Sequence, residues 1–251
     1  MGSKMHNMSR RFVIFGMART GSTLLASLLN SHPQIACDGE VFTPPRWPRR
    51  LRPIARFWQR HPFPYLAYRQ VRTLLLHQKT VYGFKLHNKF EGPQLVDIRG
   101  FLRVAAHDGW KVIHLQRRCL FDQVMSNVVA NRTGRYFGNQ NEDESVATID
   151  IPVTVFASAL QKSFRASEFN RAIVAELPCL ALVYEDDVSE PAAWEKTAGR
   201  ICDYLGIPTS PWICSKVAKP WRRRYSEIVT NYAELLSLYQ EWEAGENNGA
   251  T

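Results

Sequence analysis

One stretch, positions 12–24 (Phe-Val-Ile-Phe-Gly-Met-Ala-Arg-Thr-Gly-Ser-Thr-Leu), limits what this chain can fold into more than any other. Phe12 to Phe15 is a short apolar run that reads as a buried strand. Gly16 to Gly21 reads as a turn. Ser22 then opens an apolar-periodic helix through Leu24, Leu25, Leu28 and Leu29, closed by Asn30 and Pro33. A strand, a glycine turn and a helix N-terminus in that order predict an anion site. The N–H groups of a first helical turn have no partner inside the helix, and the helix dipole favours negative charge there.

The turn departs from the phosphate-loop consensus G-x-x-x-x-G-K-[ST]. Gly16 and Gly21 keep its spacing and Thr23 follows, but Ser22 stands where the lysine belongs. A positive charge sits inside the turn instead, at Arg19. The lysine contact to β- and γ-phosphates is therefore missing, which points to a phosphate-like group carrying less charge than a triphosphate. The alternative is a strand–turn–helix connection with no ligand. Such a connection does not need the run of polar or small residues from Arg19 to Thr23.

Further short strands are expected at 35–37, 81–86, 111–116 and 179–184, alternating with helices. That alternation predicts an α/β protein, a three-layer fold with a mostly parallel central sheet flanked by helices. Helices are expected from Pro93 to about His107, after Arg118 to about Asn131, and from Val153 along the Phe156, Leu160 and Phe164 stripe. Two more are expected, through Trp194, Ile201 and Leu205 to Gly206, and from about Ser226 to Glu243. Residues 137–152 read as a mobile loop over the cleft.

Ligands of parallel sheets gather at the carboxyl ends of the strands. Glu40, just after the second strand, is thus a candidate general base, and His87, just beyond the third, is a second. Arg118 follows the fourth strand, and Ser126 lies eight residues on, along a helix. An arginine fork and a helical hydroxyl can clamp a second phosphate. Each residue also has a plain reading: a loop carboxylate, a capping histidine, a strand-end arginine.

Composition narrows the partners. The chain has 251 residues, read as a tail at 1–11, in part of vector origin, and a single domain at 12–251. It has no apolar run near the roughly 18 residues of a membrane span and no apolar signal-peptide core. Gly2 resembles a myristoylation start, but His6 stands where Ser or Thr is wanted. The five cysteines form no C-x-x-C pair, so free thiols in a reducing, cytoplasmic compartment are expected. The seven histidines are scattered, and no metal site is expected. A net charge of +9 implies an acidic partner. Residues 44–78 combine prolines, arginines and aromatics. They are read as short helices over one end of the sheet that hold an acceptor, stack sugars or lie on a membrane surface, or else form a solvated basic face.

Taken together, these segments resemble the sulfotransferases that use 3′-phosphoadenosine 5′-phosphosulfate (PAPS). Arg-Thr-Gly-Ser-Thr-Leu-Leu (19–25) resembles their 5′-phosphosulfate loop, with arginine where the cytosolic enzymes carry lysine. Leu-Gln-Arg-Arg (115–118) with Ser126 resembles their 3′-phosphate motif, and Leu-Val-Tyr-Glu-Asp-Asp (182–187) a late strand and helix. Thr-Asn-Tyr-Ala-Glu-Leu (230–235) is similar to the C-terminal helix of bacterial carbohydrate sulfotransferases of the nodulation-factor and trehalose type. The resemblance implies a P-loop-like fold and transfer of a sulfuryl group from PAPS, with no metal, to a sugar or glycolipid hydroxyl. Nucleic acid is not an expected partner, and oligomeric state stays open.

It also implies roles. Arg19, Thr20, Gly21, Ser22, Thr23 and Leu24 would hold the 5′-phosphosulfate, and Arg118 and Ser126 the 3′-phosphate. Glu40, 21 residues after Arg19, would be the base, with His87 as the cytosolic-type alternative. The arginine-lysine-glycine segment that many cytosolic members place on the 3′-phosphate is missing. Lys216, Lys219 and Arg222 to Arg224 are the candidates to take its place, with none of them singled out. Two other readings are a P-loop nucleotide kinase, which Ser22 argues against, and a non-catalytic basic anion-binding module.

Overall fold

The structure is a computed structural model that describes residues 10–43, 49–88, 94–134, 148–210, 214–215 and 224–249. They form two compact units, one made of residues up to Gln116 with Phe169–Lys216, the other of Arg117–Glu168 with the chain from Val217.

The first unit holds a five-stranded sheet in the order β2-β3-β1-β4-β5, with every pairing parallel. The strands are β1 (Arg10–Met17), β2 (Ile35–Asp38), β3 (Val81–Asn88), β4 (Lys111–Gln116) and β5 (Cys179–Val183). Side chains alternate across a strand, so each strand feeds two cores. Phe12, Ile14, Val81, Ile113, Leu115 and Leu182 pack with α1 (Ser22–Ser31) and α7 (Pro191–Leu205). Val13, Phe15, Tyr82, Phe84, Leu86 and Val112 pack on the other face with α3 (Pro62–His77) and α4 (Ile98–His107). The central strands are buried on both faces and therefore read as continuous apolar runs.

Several expected boundaries move, each for a local reason. β3 continues to Asn88 because it pairs with β1 as far as Met17, so His87 lies inside the strand rather than beyond it. α4 starts at Ile98, not Pro93, where the Asp97 carboxylate accepts the Gly100 N–H at 2.8 Å. β5 gives way at Tyr184 to a π-helical turn, Tyr184–Val188. Between β2 and β3 the chain forms a 3₁₀ turn (Arg49–Leu51), α2 (Arg52–Arg60) and α3. Leu66 of α3 joins the core on one face of the sheet, so this helix covers a face, not an end.

The second unit packs α5 (Leu120–Thr133), the body of α6 (Val153–Val174) and α9 (Tyr232–Gly249) around Phe121, Val124, Phe156, Leu160, Val229 and Leu235. The single C-terminal helix expected is two, α8 (Tyr225–Ile228) and α9. The chain breaks where Val229 bridges Ile149 and where the Asn231 amide bonds both backbone groups of Ile151. The expected loop over the cleft falls largely on residues 135–147, outside the described residues, as do Lys216, Lys219, Arg222 and Arg223.

Candidate active site

The turn after β1 is built on two glycines with different duties. A Cβ at Gly16 would overlap the Leu115 carbonyl oxygen of the neighbouring strand. Gly21 sits at φ 82°, and a Cβ there would overlap the Tyr184 ring. Arg19 also lies in the left-handed region, at φ 67°, which is uncommon for a residue with a side chain. The Thr20 hydroxyl donates to the Met17 carbonyl at 2.9 Å and closes the turn. Gly21 is the N-cap of α1, no side chain caps this helix, and its first turn holds no acidic residue. The N–H groups of Ser22, Thr23 and Leu24 thus open a site that suits an anion.

Beside this turn the structure gathers both candidate bases. Ser22 Oγ and His87 Nε2 are 2.8 Å apart, and His87 Nδ1 is 3.2 Å from Glu40 Oε1. The other carboxylate oxygen of Glu40 accepts hydrogen bonds from Thr43 Oγ1 at 2.9 Å and Gln94 Nε2 at 2.8 Å. Gln94 is fully buried, and its Oε1 accepts the His87 N–H at 3.1 Å. A carboxylate facing Nδ1 favours the tautomer with its proton there. That leaves Nε2 to accept from the Ser22 hydroxyl.

Two members of the cluster were not singled out from sequence. Lys85 is buried, and its Nζ donates to Thr23 Oγ1 at 2.8 Å on the first turn of α1. A signal existed: Lys85 and His87 are two apart on one strand and so share a face. Gln94 carried none, because its partners come from β3 and from residues 40–43.

Arg118 and Ser126 belong to the second unit. Arg118 is exposed, two residues before α5, while Ser126 is buried within that helix. Among the described residues, no group of His, Cys, Asp and Glu could hold a metal ion, and no helix is long and apolar enough to cross a membrane.

A parallel sheet with a glycine turn and an uncapped helix N-terminus at the end of its central strand defines a P-loop-like α/β protein. Comparison with known proteins carries this further. The model of the Sulfotransferase family matches residues 11–84, the span that contains the turn and Glu40. Nodulation protein H of Rhizobium tropici is 28% identical over 235 residues, covering 89% of this chain and 87% of that protein. Two solved structures show weaker likeness. The sulfotransferase domain of the Synechococcus PCC 7002 olefin synthase has a TM-score of 0.48 at 17% identity, over 93% of this chain and 86% of that one. Mouse sulfotransferase SULT7A1 complexed with PAP has a TM-score of 0.45 at 14% identity. That match covers 81% of this chain and spans 60% of the mouse chain. The chain is thus similar to sulfotransferases, by the family model over residues 11–84 and by the relative along most of its length.

Proposed function

We propose that the chain transfers a sulfuryl group from PAPS to a hydroxyl of a carbohydrate or glycolipid acceptor. The observation that carries the reading is the Ser22–His87–Glu40 contact beside an uncapped, acid-free helix N-terminus. Backbone N–H groups from Gly21 to Leu24, with Arg19, hold the 5′-phosphosulfate, and the Thr20, Ser22 and Thr23 side chains shape the turn around it. Arg118 and Ser126 read the 3′-phosphate. The sugar-type acceptor is supported by the motif at 230–235 and by the relationship to nodulation protein H.

Transfer is in-line. The acceptor oxygen forms a bond to sulfur while the bond from sulfur to the bridging phosphate oxygen breaks. 3′-Phosphoadenosine 5′-phosphate leaves with that electron pair. Arg19 and Lys85 place positive charge where the leaving oxygen becomes negative. The acceptor proton goes to the Glu40–His87 pair, which acts as one base. Glu40 beside Nδ1 stabilises the imidazolium if the proton rests on the ring.

Calorimetric titration with 3′-phosphoadenosine 5′-phosphate, against Mg²⁺·ATP, tests the donor. Binding of the former alone, weakened more than ~10-fold in Arg118→Ala, is expected, because a charged hydrogen bond is worth roughly 1.5–3 kcal/mol. Binding of ATP instead would move the assignment to a kinase, and binding of neither to an anion-binding module. Glu40→Gln and His87→Asn are each expected to keep nucleotide affinity and lose on the order of 100-fold or more in turnover. Unchanged turnover in both removes the base assignment.

A further inference from the structure

α3 is anchored on one side and apolar on the other. Leu66, Thr73 and the Arg69–Asp38 pair tie it to the sheet. Pro64, Tyr68, Val71 and Leu75 recur at helical spacing on the opposite face, and all four are exposed. Tyr68 is 61% exposed, Val71 59% and Leu75 74%. α2 turns Ile54 and Phe57 outward as well. Scattered exposed apolar residues are ordinary, but a continuous stripe marks an interaction face.

Charge identifies the partner. Residues 41–90 contain eight arginines and three lysines and no aspartate or glutamate. Arg52, Arg56 and Arg60 of α2 and Arg72 of α3 are exposed alongside the apolar residues. A second copy seated on this face would bring two acid-free cationic segments together. An anionic bilayer matches both properties, with phosphates for the guanidinium groups and an acyl boundary for the stripe.

We propose that the α2–α3 face docks on an anionic membrane surface, with Tyr68, Val71 and Leu75 entering the headgroup–acyl boundary and the flanking arginines on lipid phosphates. The face would keep the enzyme where membrane-borne acceptors are presented. Its test needs neither donor nor acceptor, so it stands or falls apart from the catalytic reading.

The test is co-sedimentation of the full chain with vesicles of phosphatidylcholine alone or mixed with phosphatidylglycerol, together with light scattering in their absence. At least ~10-fold tighter binding to the anionic vesicles is expected, weakening with salt. Val71→Glu/Leu75→Glu is expected to lose it ~10-fold or more while keeping the wild-type unfolding midpoint, because both positions are exposed. Tyr68→Trp gives a readout that does not depend on that double variant: its emission minus that of the wild type, which has seven tryptophans of its own, shifts to the blue on anionic vesicles. The proposal is overturned by equal binding to neutral vesicles, by no binding, by undiminished binding of the folded double variant, or by unshifted emission. A dimer that the double variant dissociates also overturns it, and assigns the stripe to a second copy.

Discussion

Asp38 shows how much of this protein depends on single side chains. Its Oδ2 accepts from Arg69 Nη2 at 2.7 Å, Arg69 Nε at 3.1 Å and the Tyr82 hydroxyl at 3.0 Å. Burial, then the neighbouring Asp38 charge, pushes the Tyr82 phenol well above its usual range, so it stays a donor. Asp38→Asn removes the charge and leaves Arg69 half-buried without its carboxylate. A loss of about 2 kcal/mol is expected in urea unfolding, below the cost of a fully buried pair because both groups keep some solvent contact. No sequence rule pairs Asp38 with Arg69, 31 residues away. His114 makes a different prediction. Burial lowers its pKa from 6.5 to about 4, so the folded protein holds it neutral. Between those values the unfolded chain binds the extra proton. Stability therefore falls as pH drops from about 6.5 towards 4, by roughly 3 kcal/mol from this residue alone. His114→Leu should flatten that limb in unfolding curves recorded across the window.

Elements were legible where periodicity speaks and illegible where tertiary partners decide. The alternation of apolar strands and helices gave the α/β sheet, because strands buried on both faces cannot hide their composition. Strand and helix ends were less readable. β3 outruns its expected end because β1 keeps pairing with it, and that extension carries His87 into the buried cluster beside Lys85. Lys85 reads as strand filler until α1 brings Thr23 within 2.8 Å of it. The turn itself was legible in residue type but not in its reasons: Gly16 answers to a neighbouring carbonyl and Gly21 to an aromatic ring. Gly21→Ala meets both a positive φ and the Tyr184 ring. It is expected to cost roughly 1–3 kcal/mol in thermal unfolding and to weaken nucleotide binding, read by calorimetry. Gly109→Ala is the control, with a similar φ of 83° and open space around it. It pays for the backbone alone and should leave nucleotide binding unchanged.

At the scale of the molecule each unit owns a core, so a core lesson in one should be read locally. Phe156 is fully buried in the second unit against Phe121. Phe156→Ala is expected to cost about 3–5 kcal/mol and to lower hydrogen-exchange protection through α5 and α9 before the amides of β1 and β3. Neither unit is contiguous in the chain. The first resumes at Phe169 after a stretch that belongs to the second, and the second resumes at Val217. No single cut therefore yields an intact half, and a fragment ending at Gln116 would lack both β5 and α7. The ribosome meets the same geometry as a delay. Residues 117–178 must be made before β5 can close the open edge of β4. At about 5–20 residues per second that edge waits roughly 3–12 s, during which the nascent chain is a template for wrong strands.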